Sequence, residues 1–421
     1  MGALMPTPAL AIWTIAGLAT LGVILRPFSW PEAIWAVAGA VLLVALGLLP
    51  WHAALDGVLK GADVYLFLVG MMLLSEIARK EGLFDWLAGI AVRHARGSAT
   101  RLFLLVYVVG ALVTAFLSND ACAVVLTPAV YAAAKAARAE PLPYLFVCAF
   151  IANAASFVLP ISNPANLVVY AAHMPPLLEW LARFALPSAL AILATYAVLR
   201  ISQNGALKRT EVATDVEPVT LSTTGKVAGL GIVATAFVLL AASASGLELG
   251  LPTFVSGLAA TFLVLAIRRG GLVAVVRDVS WSVLPLVAGL FVLVEALDVT
   301  GVLRVIADGL KASAQTAPEA TAWGGGVLVA VLCNLVNNLP AGLLAGAAVQ
   351  SADVSDKIAG AILIGVDLGP NLSVTGSLAT ILWLVAIRRE GEDVGALRFL
   401  KLGLLVMPPA LMLALAGLLL V

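Results

Sequence analysis

LPISNPANLVVY, residues 159–170, lies inside a long apolar region, yet it holds two prolines and three polar side chains, Ser162, Asn163 and Asn166. Proline removes a helical hydrogen bond, and Ser and Asn compete for backbone partners. A continuous helix has no use for such a stretch. A helix interrupted halfway does, so its meaning depends on what surrounds it.

The surroundings are those of a membrane protein. The chain has 421 residues, 62% hydrophobic and 11% charged, with zero net charge and a mean hydropathy of +1.07. Soluble domains carry about 25% charged residues. Apolar runs of about 20 residues, enough to cross ~30 Å of hydrocarbon, recur along the chain. Lipid obliges a spanning backbone to satisfy itself, so the spans are helices. No basic stripe invites nucleic acid. Leu10 to Leu25 has no Lys or Arg ahead of it and reads as a first span, not a signal peptide.

Continuous spans are expected near 8–25, 32–50, 62–78, 180–199, 227–245, 251–267, 281–299 and 399–420, with broken spans at 143–172 and 357–386. Segments 102–134 and 322–350 are apolar but cut by polar residues, and each reads as a hairpin that enters and leaves on one side. This layout puts 19 of the 24 basic residues on one face, in loops holding Arg26, Arg79 to Arg101, Lys135 and Arg138, Arg200 to Lys226, Arg268 to Arg277, and Arg388 to Lys401. Lys60, Arg183, Arg304, Lys311 and Lys357 fall on the other. The positive-inside rule makes the first face cytoplasmic and both termini periplasmic. Reading either hairpin as a full span spoils the asymmetry.

The halves repeat. At a lag of 219 residues Gly70 meets Gly289, Glu76 meets Glu295, Gly82 meets Gly301 and Asn119 meets Asn338. Five spans and one hairpin per half invert the second copy relative to the first. The expectation is an all-α polytopic membrane protein of about ten transmembrane helices, two re-entrant hairpins and two inverted repeats, 1–200 and 226–421, joined by a cytoplasmic linker at 201–225. Transporters of this construction bind solute at the midplane, where helices are discontinuous.

Four interruptions then define a candidate site. They are Ser118-Asn119-Asp120, Ser162-Asn163-Pro164 with Asn166, Asn337-Asn338-Leu339-Pro340, and Asp367 to Ser377 with Asn371 and Thr375. Ser, Asn and Asp cap helices and Pro suits a first turn, so helices start inside the membrane and aim N–H donors at one point. The polar residues named are candidates for binding solute. Asp120 and Asp367 are candidates for proton coupling, because a carboxyl in lipid must face a cavity or a partner; the structural alternative for each is a helix cap or helix end. Glu76 reads as structural, with Arg79 or Lys80 one turn away. Glu295, with no basic residue at that spacing, is also read as structural. His52, His94 and His173 fall at span edges. Trp51, Trp180 and Trp281 fit interfacial anchors. GLLAG at 342–346 fits helix packing. Cys122, Cys148 and Cys333 form no CxxC pair or metal set. No GxxxxGK[ST], HExxH or GxSxG motif is present, so neither ATP binding by a P-loop nor those hydrolytic chemistries is expected, and no cofactor is expected.

SNDACAVVLTPAV (118–130), LPISNPANLVVY (159–170), NNLPAGLLAG (337–346) and GVDLGPNLSVTGSLATILWLVAIRREG (365–391) resemble the ArsB family of arsenical efflux permeases. That family sits in the ion transporter superfamily beside NhaD-type sodium/proton antiporters and dicarboxylate transporters. The resemblance covers nearly the whole chain. It implies export of arsenite, and of antimonite, across a bacterial cytoplasmic membrane, driven by proton antiport, with a cytoplasmic ArsA-type ATPase as a partner that members can dock. Arsenite at neutral pH is mostly an uncharged trihydroxide, which amides and hydroxyls can bind without a counter-charge. Dicarboxylate carriers carry SNT-type motifs in both halves; the second half here has NNLP and TGS. A sodium/proton antiporter and a dicarboxylate carrier stay as the alternative readings. Trivalent arsenic favours thiolates, but Cys122 has no repeat partner, a tight thiolate would slow turnover, and the residue reads as packing.

Overall fold

The computed structural model of the chain describes residues 7–170, 174–217 and 219–421. Its elements are helices, with one isolated bridge between Ser98 and Glu211. The first half comprises α1 (Thr7–Leu25), α2 (Glu32–Ala45), α3 (Trp51–Lys60), α4 (Ala62–Lys80), α5 (Leu83–Ala95), α6 (Ala99–Phe116), α7 (Thr127–Ala136), α8 (Leu142–Ala154), α9 (Pro164–Tyr170) and α10 (Leu177–Ser202). A short α11 (Asn204–Arg209) follows. The second half runs through α12 (Thr223–Ala244), α13 (Gly250–Arg268), α14 (Leu272–Asp278), α15 (Val283–Val299), α16 (Val302–Thr316), α17 (Pro318–Val336), α18 (Asn338–Ala352), α19 (Asp356–Leu368), α20 (Leu378–Arg389) and α21 (Ala396–Leu420). Among the described residues, eight helices are long and apolar enough to cross a membrane, nine if the bent pair α3–α4 counts as one.

Helix starts recur at the spacing read from the sequence. α5 and α16 begin at 83 and 302, α6 and α17 at 99 and 318, and α10 and α21 at 177 and 396, each pair 219 apart. The matched glycines have local reasons. Gly82 and Gly301 take φ of 74° and 79° in the turns that open α5 and α16, a backbone region that costs other residues a Cβ clash. Gly70 and Gly289 lie where α4 crosses α13 and α15 crosses α2. A Cβ on Gly70 would stand 2.3 Å from the Thr253 carbonyl oxygen, and one on Gly289 2.7 Å from Ala36 C.

Two expectations are corrected. The span at 32–50 is not continuous: α2 ends at Ala45, Gly47 turns at φ 68°, and Pro50 precedes α3, which meets α4 at 48°. Trp180 is no interfacial anchor. It is wholly buried, with Nε1 donating to the Phe157 carbonyl at 3.2 Å. Trp51 is exposed, and Gly346 of GLLAG packs on the backbone of Val169 in α9. His52 lies on α3 and His94 in the last turn of α5, both exposed, whereas His173 lies outside the described residues.

The two ends of the first hairpin meet the same short segment. The bridge from Ser98, just before α6, reaches Glu211, and the Ala213 N–H donates to the Ala137 carbonyl just after α7. Both ends of the first hairpin are thus held by one short stretch of the 210s, and α5 packs against both arms. α16 packs in the same way against α17 and α18. Ion pairs between elements sort into two sets. Arg268–Glu81, Lys80–Asp278 and Lys135–Glu392 join loops of the basic-rich group; Arg183–Asp356 and Lys60–Glu295 join residues of the other. None of these five bridges one group to the other.

Candidate functional site

Apolar sequence carries each polar break to the interior, and there the four breaks meet. α6 stops at Phe116 and helix resumes at Asn119, passing through a π-helical turn, Ala121–Leu126, into α7. α8 stops at Ala154, and a one-turn 3₁₀ segment, Pro160–Ser162, leads to α9. α17 gives way to α18 at Asn337, which takes φ 71°. α19 gives way to α20 through two 3₁₀ turns, Gly369–Leu372 and Val374–Gly376.

A cavity of about 20 Å³ lies at the meeting point. The first hairpin contributes Asn119 and Asp120, and the first broken span Asn163 and Pro164. The second hairpin contributes Asn338 and Leu339, and the second broken span Ser377, Leu378 and Ala379. Leu68 of α4 and Val287 of α15 face it from the sides. The wall is paired: Asn119 with Asn338 and Leu68 with Val287 at lag 219, Asn163 with Ser377 and Pro164 with Leu378 at lag 214. Asp120, paired with Leu339, is the one ionisable group on this wall. It is partly buried, and among the described residues its carboxylate makes no ion pair.

Capping side chains set the helix starts. Ser118 Oγ accepts from Ala121 N at 3.2 Å, Asn163 Oδ1 from Ala165 N at 3.0 Å, Asn337 Oδ1 from Leu339 N at 3.3 Å, and Ser377 Oγ from Thr380 N at 3.1 Å. Each satisfies an orphan donor of a first turn, and the partial positive charge of four helix starts collects around the cavity.

The broken spans are laced together. Asn163 Nδ2 donates to Asp367 Oδ1 at 2.6 Å, and Ser377 Oγ donates to Asn153 Oδ1 at 3.4 Å. Asn153 and Asp367 are themselves 214 residues apart, so each cap touches the polar residue on the opposite span. Asn153 Nδ2 also donates to Asn371 Oδ1 at 3.0 Å and to Thr380 Oγ1 at 3.4 Å, and Asn371 Nδ2 donates to the Phe150 carbonyl at 3.1 Å.

The remaining candidates support the wall from behind. Ser162 Oγ donates to the Ala115 carbonyl at 3.0 Å and accepts from Leu159 N at 3.1 Å. Asn166 Nδ2 faces the carbonyls of Ser156, Leu159 and Pro160. Asn337 Nδ2 donates to the Thr375 carbonyl, and Thr375 Oγ1 to the Asn334 carbonyl, both at 3.3 Å. These bonds occupy backbone groups that the helix breaks set free. Ser118, Ser162, Asn166, Asn337, Asn371, Thr375 and Asp367 are therefore buried or half-buried behind the cavity, whereas Asn119, Asp120, Asn163, Asn338 and Ser377 form its wall. Asp367 is wholly buried, and its Oδ2 has no partner.

Asn153, Asn334 and Thr380 belong to this network and were not singled out in the sequence. Asn153 could have been found by allowing a five-residue slip in the repeat, which aligns it with Asp367. Cys122 is off the wall, with Sγ turned to the Cys148 carbonyl at 3.6 Å. Glu76 pairs with Arg79 at 2.6 Å and Lys80 at 3.4 Å, and Glu295 with Lys60 at 2.6 Å.

Residues 9–387 match the family described as citrate transporter, CitMHS. The chain belongs to that family. Curated relatives of this CitMHS-family chain include the arsenical pump membrane protein of Escherichia coli K12, 28% identical over 373 residues, 83% of this chain and 84% of that one. The arsenical pump membrane protein of Yersinia enterocolitica is 26% identical over 370 residues, 83% and 84% of the two chains. An uncharacterized transporter of Mycobacterium tuberculosis H37Rv is 26% identical over 406 residues, 90% and 91%. The motif resemblance to arsenical permeases is thus matched over most of the chain. Among solved structures, the YdaH transporter of Alcanivorax borkumensis, described as having an unusual topology, superposes with TM-score 0.59 at 17% identity over 98% of both chains. MtrF of Neisseria gonorrhoeae gives 0.53 at 13%, over 99% of this chain and 95% of that one. At such identities these two speak for the fold. This CitMHS-family protein is a multi-span membrane transporter.

Proposed function

We propose that the chain exports arsenite, and antimonite by the same chemistry, in exchange for protons, using two inverted repeats whose four helix breaks enclose the substrate. The observation that carries this reading is the cavity wall: Asn119, Asn163, Asn338 and Ser377 are neutral hydrogen-bonding groups, and Asp120 is one carboxylate among them. Three arsenite hydroxyls can be met by amides, a hydroxyl and helix N–H groups, with Asp120 free to exchange a proton. Asp367, tied to Asn163 behind the wall, would sense which state Asp120 and its neighbours are in.

A carboxylate substrate asks for something else. Citrate carries three negative charges at neutral pH, and among the described residues no Lys, Arg or His lines the cavity. About 20 Å³ is room for one or two waters at ~10–15 Å³ each. That suits a solute of four heavy atoms after slight widening far better than a tricarboxylate. The basic face would be cytoplasmic and both termini periplasmic.

The test is arsenite uptake into everted membrane vesicles from a host stripped of its own exporters. Uptake should need an inside-acid proton gradient, stop on adding a protonophore and fall at least roughly tenfold in Asp120→Asn, as expected on losing a proton-carrying group. Sodium-dependent proton flux indifferent to arsenite, or succinate-dependent currents without arsenite flux, would replace this reading with one of its alternatives.

A further inference from the structure

A second cavity, of about 10 Å³, adjoins the first and is lined by Glu32, the ion-pair partner of Arg26 in the basic-rich group. Leu339 and Leu378 line both. The rest of the wall includes Asn337 and Pro340 from the hairpin tip, Ile381 of α20 and Glu32. Glu32 opens α2 and is 9% exposed, with Oε1 3.1 Å from Nε of Arg26 on the preceding loop. The other elements packed around it present Val23 of α1, Leu286 and Leu290 of α15 and Ile381 of α20, so Arg26 is the charged group that faces it among the described residues.

A first-turn Glu favours its own helix dipole by about 0.3–1 kcal/mol, which accounts for an acidic residue at this position on a surface. It does not account for one turned inward onto a cavity that ends against a hairpin tip. Arg26 sits at φ 47° in the turn that precedes Glu32, a left-handed conformation that a non-glycine residue adopts at a cost.

We propose that Glu32 is a second proton-carrying carboxylate of the transport path, in series with Asp120, and that Leu339 and Leu378 form the gate between them. The proposal rests on the arsenite–proton reading above. When the two leucines part, water joins the cavities. Protonated Asp120 gives its proton through that water to ionised Glu32, and is left as a carboxylate. Protonated Glu32 then releases the proton to water at the basic face and re-forms its ion pair with Arg26. Asp120 takes up a new proton from the opposite face when the substrate site opens there, so one proton crosses per cycle and both groups return to their starting state.

Purified protein in proteoliposomes separates the steps. Glu32→Gln should lose roughly tenfold in gradient-driven arsenite flux, while exchange of labelled for unlabelled arsenite at equal pH on both sides stays near wild type. Equal loss of both fluxes, or loss of neither, overturns the proposal. Arg26→Gln supplies an independent readout. Removing the cation leaves Glu32 without its ion-pair partner, so Arg26→Gln should also lower gradient-driven arsenite flux while sparing exchange at equal pH; loss of both fluxes, or of neither, counts against the role. Wild-type protein without any gradient-driven arsenite flux would overturn the underlying transport reading, and this proposal with it.

Discussion

Asn163 and Asp367 lie 204 residues apart in the chain and 2.6 Å apart in space, the amide of one helix cap donating to the carboxyl of the opposite broken span. The mirror contact, Ser377 to Asn153, is longer at 3.4 Å and involves no carboxyl. The two crossings are therefore alike in position and unequal in length.

That contact predicts an energetic coupling. Asn163→Ala leaves a wholly buried carboxyl without its partner, at a cost of about 1–3 kcal/mol. Asp367→Asn preserves a hydrogen-bonding pair and should cost less. The double variant should be no worse than Asn163→Ala, so a double-mutant cycle of detergent-solubilised stability should give a coupling energy at least as large as the cost of Asp367→Asn alone. Additive losses would show that the contact is incidental.

Asn119 and Asn338 predict a symmetry of effect. They occupy equivalent corners of the cavity, one from each hairpin. Replacing either with Ala removes about one hydrogen bond to solute, worth about 1 kcal/mol, so each should weaken arsenite binding roughly fivefold and leave the proton dependence intact. A binding titration compares them directly. Loss at one position and none at the other would mean that the solute sits against a single repeat.

Much of this was legible before any coordinates, and for one reason: a helix break inside lipid needs polar residues to satisfy the freed backbone, so Ser118, Asn163, Asn337 and Ser377 announce themselves against an apolar background. What stayed hidden was contact at a distance. Nothing near Glu295 in sequence offers it a cation, because its partner Lys60 comes from the other half. Nothing local divides Asn163, on the wall, from Asn166, three residues on and turned to carbonyls behind it. Asn153 sits mid-helix in an otherwise apolar run and resembles a packing residue until the second half supplies Asn371 and Ser377. Trp180 looks like an anchor at a span end because sequence cannot show that Phe157 and Phe184 enclose it.

Gly70 and Gly289, at their helix crossings, and Gly309, on an open helix face, predict opposite signs for the same substitution. Gly70→Ala places a methyl 2.3 Å from the Thr253 carbonyl oxygen, and Gly289→Ala places one 2.7 Å from Ala36 C. Both contacts are with backbone, which cannot step aside without moving a helix. Each should cost about 1–3 kcal/mol, the usual range for overpacking. Gly309 in α16 meets nothing within 4 Å, and Gly309→Ala should gain up to about 1 kcal/mol from helix propensity alone. Melting of the three variants in one detergent decides the matter.

The last prediction concerns sidedness, on which the inverted arrangement depends. Arg96 precedes the first hairpin and Arg138 follows it, and both are exposed. The three native cysteines are buried and should stay silent to a membrane-impermeant maleimide. Arg96→Cys and Arg138→Cys should then both label in everted vesicles and neither in right-side-out ones. Lys311→Cys, in α16 before the second hairpin, and Ser355→Cys, after it, should show the reverse. If Arg96→Cys and Arg138→Cys label from different sides, residues 102–134 cross the membrane outright, every later loop changes face, and 19 of 24 basic residues no longer share one side. The charge asymmetry would then have to come from something other than membrane insertion, whose known preference is for basic loops inside.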